Sequence, residues 1–198
     1  LFAMRLSDFE ASLARKAVRF VAYGGKNRAA TVTHRLDGQK GYAVGFQGLV
    51  AYLDGLLPKN EHIGAALREA RPLFPELAIR ELVANALIHQ DMTVSGAGPP
   101  IELFQDRLEI SHPGAPLVKP ERMIDLPPRS RNEALASLMR RMAMCEEQGS
   151  GLDKVVQACE VFQLPAPLFR ADGNATQAVL YGPRSFAEMT PEERVRAC

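Results

Sequence analysis

Apolar residues recur at helical spacing along Pro75 to Asp91, PELAIRELVANALIHQD. At about 100° per residue, Ile79, Leu82, Val83, Ala86 and Leu87 share one arc, which predicts a helix pressed onto a sheet. Glu81 and Asn85 stand one turn apart, about 40° from each other at the border of that arc, and His89 extends the same line by another turn. Burying Arg80, Glu81, Asn85 and His89 without partners would be costly, so this polar edge is expected to face a cleft.

Before this helix, Ala17 to Tyr23, Ala30 to Arg35 and Tyr42 to Phe46 are short β-prone runs. The turn signals Gly24-Gly25-Lys26-Asn27 and Asp37-Gly38-Gln39 separate them, the pattern of an antiparallel meander. Gln47 to Leu57 carries Leu49, Val50, Leu53, Leu56 and Leu57 at helical spacing and is stopped by Pro58. Ala65 to Ala70 reads as a strand or a helix turn, and Pro72 and Pro75 bracket a kink. After Asp91, Met92 to Pro100 is a loop, and Ile101 to Phe104 with Leu108 to Ser111 predicts a hairpin through Gln105-Asp106-Arg107. His112-Pro113-Gly114 is expected to end the second strand, and Pro116, Pro120, Pro127 and Pro128 keep the next stretch irregular, a long lid-like loop. Ser130 or Asn132 caps a helix running to about Ala143, with Leu135, Leu138, Met139 and Met142 on one face. Gln148 to Leu152 opens a helix over Asp153 to Phe162, and Ala178 to Tyr181 reads as a closing strand.

Composition narrows the functional classes. The 198 residues, 46% of them hydrophobic, suffice for a sizeable core. Lys plus Arg number 24 against 23 Asp plus Glu, and the net charge of +1 provides no broad cationic footprint for nucleic acid. A DNA or RNA partner is therefore expected only through a domain outside this chain. No run of 18 apolar residues and no signal pattern is present, so a cytoplasmic protein without a membrane partner is the expectation. Cys145, Cys159 and Cys198 lack zinc-site spacing and read as free thiols. Leu1 is not an initiator, and Thr190-Pro191-Glu192-Glu193 announces a helix cut short at Cys198, so the natural protein is expected to continue on both sides.

Gly149, Ser150 and Gly151, just before a helix, allow backbone amides to approach a phosphate at the positive end of the helix dipole. The oxygen of an asparagine such as Asn85 can ligate magnesium beside phosphate oxygens, and a glutamate one turn away can orient or deprotonate an attacking water. In a purely structural alternative, Asn85 bonds a loop backbone and Glu81 pairs with an arginine. His89 and Asp91 invite a metal reading, but no HxH or HExxH spacing supports it, and His89 suits the negative end of its helix. No GxSxG elbow and no Walker A lysine occurs.

The blocks ELVANALIHQD, DRLEISHPG, SRNEALASLMRR and EEQGSGLDKV, in that order, resemble the divergent GHKL-type ATPase domain known as the RecG-related helicase C-terminal type. That domain occurs in bacterial transcriptional regulators downstream of a Schlafen-type AlbA nucleic-acid-binding domain. The likeness covers about Leu73 to Pro183 and implies the Bergerat fold, an α+β two-layer sandwich in which a mixed sheet backs helices. The expected domain plan is residues 1–64 as a meander and helix forming part of, or packed on, the same domain, 65–184 as the nucleotide-binding core and 185–198 as the start of a C-terminal extension. The likeness also implies ATP and magnesium, with Glu81 as general base, Asn85 as magnesium ligand and Gly149 to Gly151 as the second glycine box under the phosphates. His89, Asp91, His112 and Gly114 are the further nucleotide-binding candidates. The segment Ile110 to Pro116 departs from the wider group: it has no adenine-reading aspartate, and His112 stands where the family carries asparagine. The expected function is a nucleotide-binding regulatory module whose lid closure works as a switch, with slow or no hydrolysis; the expected partners are nucleotide and a second copy of the chain. The alternative is a nucleotide-free scaffold for dimers or partners.

Overall fold

A computed structural model describes residues 4–57, 59–63, 68–96, 98–123, 129–145, 151–191 and 194–195. After a one-turn helix α1 (Ala11–Ala14) come strands β1 (Arg19–Tyr23) and β2 (Val32–Asp37), then helix α2 (Tyr42–Leu56). A separate two-stranded sheet, β3 (Lys59–Ile63) and β4 (Arg68–Pro72), leads into helix α3 (Glu76–His89). Next come β5 (Pro100–Leu103), β6 (Arg107–Pro113), helices α4 (Glu133–Arg141) and α5 (Gly151–Val161), and strands β7 (Leu168–Asp172) and β8 (Ala175–Tyr181).

Six strands form one mixed sheet in the order β2-β1-β5-β6-β8-β7; β1 and β5 run parallel and every other neighbouring pair is antiparallel. Strand residues alternate between faces. Phe20 and Ala22 of β1, Ile101 and Leu103 of β5, Leu108 and Ile110 of β6 and Leu180 of β8 point one way, into a core shared with α2, α3, α4 and α5. The fold is thus α+β, a two-layer sandwich with the four longer helices on one face of the sheet. Helix α3 is the middle of that layer: Ile79, Leu82, Val83, Ala86 and Leu87 are all buried, as their spacing predicts, and Ala78, Ala84 and Ile88 are buried as well. The outer face carries Glu102 and Glu109 opposite each other on β5 and β6. Arg28 grips Glu102 through two nitrogens, at 2.8 and 2.6 Å, and Arg107 reaches Glu109 at 2.6 Å. Like charges facing across a ladder repel, and these guanidinium groups offset that repulsion.

Three local expectations are corrected. Tyr42 to Phe46 is the first turn of α2, not a strand, because Tyr42, Phe46, Val50 and Leu53 continue one helical stripe into the core. Strand β6 runs through His112 to Pro113: proline has no N–H to leave unpaired, and its carbonyl accepts the Asp91 N–H at 2.7 Å. Strand β7, unrecognised in the sequence, adds an edge that pairs, among the described residues, only with β8.

Helix α4 ends in paired hydrogen bonds, Met144 N–H to the Met139 carbonyl and Ala143 N–H to the Arg140 carbonyl, both 2.9 Å, with Ala143 left-handed at φ 53°. This is a Schellman arrangement with alanine where glycine is usual. Helix α5 ends the same way around Gln163, φ 54°. Neither Cys145 nor Cys159 is in a disulfide, and burial pushes the Cys159 thiol up to about 11. Cys198 and the acidic pair Glu192-Glu193 lie outside the described residues. Among the described residues, no helix is long and apolar enough to cross a membrane.

Candidate functional site

The helix layer is not closed. A cleft of about 1120 Å³ opens between α3, the inner face of β6 and β8, the segment after β6, and α4. That volume lies just above the roughly 300–1,000 Å³ typical of small-molecule sites. Its floor includes Glu81, Asn85 and His89, three successive turns of α3, whereas Arg80, expected on the same polar edge, instead donates to the carbonyls of Ala143 and Met144.

Glu81 is 3% exposed. Its Oε2 lies where Gly151 begins α5: a Cβ built on Gly151 would sit 2.7 Å from that oxygen and 4.0 Å from the Asn85 amide nitrogen. Glycine at 151 therefore lets the start of α5 close against the carboxylate and carboxamide. The Asn85 carboxamide makes no hydrogen bond among the described residues, so the structural alternative for it, a bond to loop backbone, is not seen there. Gly149 and Ser150 lie outside the described residues, as do residues 124–128 of the expected lid; Ala115 to Val118, the lid's first part, lines the cleft.

The far end of the cleft is built by the exit of α3. His89 and His112 approach with ring centroids 6.5 Å apart. His112 Nδ1 lies 3.0 Å from the Pro113 carbonyl and must donate to it, which leaves Nε2 as an acceptor. Burial, the neighbouring His112 and the Arg131 cation push His89 down to about 4; burial and Arg131 also lower His112, against the pull of its carbonyl bond. Both imidazoles are neutral at neutral pH. The last carbonyls of α3 have no helical donors and are served by side chains. Arg131 Nε donates to His89 O at 3.0 Å, Asn132 Nδ2 to Ile88 O and Gln90 O at 2.7 and 2.8 Å, and Gln90 Nε2 to Leu87 O at 3.2 Å. Asn132 stands at the N-cap of α4, as its place in the sequence predicts, yet makes no cap bond there because its amide is engaged on α3.

Arg131 is a hub that no sequence pattern announces. Besides His89 it donates to the Ala115 carbonyl at 2.5 Å and lies 3.9 Å from the Asp91 carboxylate, fastening the segment after β6 to the end of α3. Asp91 and Gly114 are held in this junction and not on the cleft wall. Asp91 accepts both the backbone N–H and the hydroxyl of Thr93, at 2.9 and 2.6 Å, which lowers its carboxyl further than the nearby Arg131 does. Gly114, at φ 108°, has room for no side chain: a Cβ would fall 3.0 Å from Asp91 Cβ and 3.3 Å from the Arg131 guanidinium carbon. Among the described residues no cluster of three or more His, Cys, Asp or Glu is placed to hold a metal ion.

Chemically, then, one end of the cleft offers a buried carboxylate, an uncommitted carboxamide and a helix start, and the other a neutral imidazole pair flanked by a cation. Comparison with known proteins bears on this geometry. Residues 96–180 match the family described as "Putative ATP-dependent DNA helicase recG C-terminal", a span that includes His112, Gly114, Arg131 and Gly151 but not α3. No curated protein matches the chain. A crystal structure of the DIP2311 protein from Corynebacterium diphtheriae has the same fold, with a TM-score of 0.77 and 24% identity over 93% of this chain. The chain spans 40% of that protein's length. The family match supports an ATPase-like domain, and hence a module that binds nucleotide.

Proposed function

We propose that the cleft is a nucleotide site of the GHKL, or Bergerat, type, in a regulatory protein whose nucleic-acid-binding part lies outside this chain. The observation that carries the reading is Asn85: a carboxamide in a large cleft, without a hydrogen bond among the described residues, one turn from buried Glu81 and beside the glycine that starts α5. These residues fit magnesium and a phosphate chain. One protein oxygen suffices for magnesium, which keeps waters and phosphate oxygens as its other ligands. When bound, ATP with magnesium would supply a phosphoryl group activated toward water. Glu81 would orient that water or accept its proton, Asn85 would position the metal, and the amide end of α5 would lie under the phosphates. Closure of the segment that follows Gly114 over the ligand would bias a two-state equilibrium passed to an attached domain or a second copy of the chain. Hydrolysis is slow or absent in this reading, and a cytoplasmic location goes with it.

The test is the thermal transition of the chain with ATP, with and without magnesium. The wild type should be protected in a magnesium-dependent way and Asn85→Ala should lose that dependence; equal, unprotected melting of both proteins removes the reading. One observation favours the second reading, a nucleotide-free scaffold for dimers or partners: the segment Ile110 to Pro116, part of which lines the cleft, carries no adenine-reading aspartate.

A further inference from the structure

Helices α3 and α4 run in opposite senses along the cleft. At one end Asn132, just before α4, is bonded to the carbonyls of Ile88 and Gln90; at the other Arg80 donates to the carbonyls of Ala143 and Met144, just after α4. Between these ties α4 lines the cleft with Glu133, Ser137 and Arg140, at the one-face spacing i, i+4, i+7, the first two exposed and Arg140 half-buried, while Ala136 and Met139 go to the core. This polar stripe faces the stripe of Glu81, Asn85 and His89 on α3. Since the helices oppose, Glu133 falls toward His89, and Arg140 toward Glu81 and the start of α5.

Arg140 differs from the cations around it. Arg80 and Arg131 are engaged on carbonyls, and Arg129 is exposed at the rim. Arg140 is half-buried on the cleft wall and makes no hydrogen bond or ion pair among the described residues. A guanidinium partly removed from water without an acceptor is unfavourable, and an anion in the cleft relieves that cost. Its planar fork matches phosphate oxygens two at a time.

Resting on the nucleotide reading, we infer that Arg140 is the anion-recognising residue of the cleft. It grips the phosphoryl chain from the wall opposite Asn85, so that the chain lies between the guanidinium and the amide end of α5. The nucleoside part then points toward His89 and His112.

The experiment is titration of the chain with ATP and with adenosine in magnesium buffer, followed by NMR shifts, for the wild type, Arg140→Gln and Arg140→Lys. Arg140→Gln should weaken ATP roughly 10- to 100-fold, the range of a lost charge-assisted bidentate contact, and leave adenosine unchanged. Arg140→Lys, which keeps the charge and loses the fork, should fall between the two and serves alone if the glutamine variant does not fold. ATP bound equally by wild type and both variants overturns the inference while the nucleotide reading stands. Adenosine weakened in step with ATP overturns it as well, since that marks a structural residue. A wild type that binds neither compound removes the nucleotide reading and Arg140's role together.

Discussion

Glu81 and Gly151 meet so closely that a single added methyl group at 151 would press on the carboxylate, 2.7 Å from Oε2. Two segments seventy residues apart in the chain therefore form one surface, and the contact can be altered without touching the core. Gly151→Ala should shift the thermal midpoint by only a few degrees, because the obstructing atom ends a side chain and alanine suits a helix. The same variant should weaken magnesium-dependent nucleotide binding about tenfold by displacing Glu81 toward Asn85. Calorimetry on the folded variant checks this, and unaltered affinity would count against a working contact.

Asn132 is expected to matter more for α3 than for the helix it precedes. Asn132→Ala withdraws the donor from the carbonyls of Ile88 and Gln90 and should cost roughly 1–3 kcal/mol in denaturant unfolding. Asn132→Asp, a good cap in isolation, should cost at least as much, since it sets a carboxylate against two carbonyl oxygens. A neutral or stabilising aspartate would mean that capping α4 is the dominant role.

The pH dependence originates in the imidazole pair. The folded pKa of His89 is pushed down to about 4, below the roughly 6.5 of an unfolded chain. Between those values the unfolded state binds the proton and the folded state does not, so the contribution is intact above pH 6.5 and lost as pH falls toward 4. Over that window stability should drop by up to about 1.4 kcal/mol per pH unit for each such histidine, with His112 adding in the same direction. Denaturant midpoints measured from pH 7.5 to 4.5 should show the slope, and His89→Asn should flatten it.

How much of this was legible in the sequence varies with the range of the interaction responsible. Helix α3 and its polar edge arise from the repetition of apolar residues at three and four positions, a local signal that survives in the fold. The first turn of α2 was misread because Tyr42, Val44 and Phe46 favour strands, and only the continuation of their stripe through Val50 and Leu53 reveals the helix. Strand β7 is five residues, mostly exposed, and exists through its pairing with β8. Arg131 and Asn132 act on carbonyls more than 40 residues away, and no spacing rule announces such a bond. The cleft face of α4 was hidden for another reason: its apolar positions dominate the pattern, while Glu133, Ser137 and Arg140 carry their own period on the opposite side.

The helix ends hold a stability reserve. Ala143 and Gln163 occupy left-handed positions that glycine adopts without steric cost. Ala143→Gly and Gln163→Gly should each stabilise the fold by roughly 0.5–1 kcal/mol, the relief of backbone strain exceeding the entropy gained by the unfolded chain. Unfolding midpoints of both variants check this, and a loss in either would show that the αL residue is held by side-chain packing.

The central claim concerns one place, the gap between Asn85 on α3 and Arg140 on α4. A crystal structure of the chain with magnesium and a non-hydrolysable ATP analogue tests it most directly. The account requires the phosphate chain in that gap, with the metal on the Asn85 oxygen and the start of α5 alongside. A cleft without nucleotide in crystals saturated with the analogue, or nucleotide bound away from Asn85 and Gly151, would contradict it.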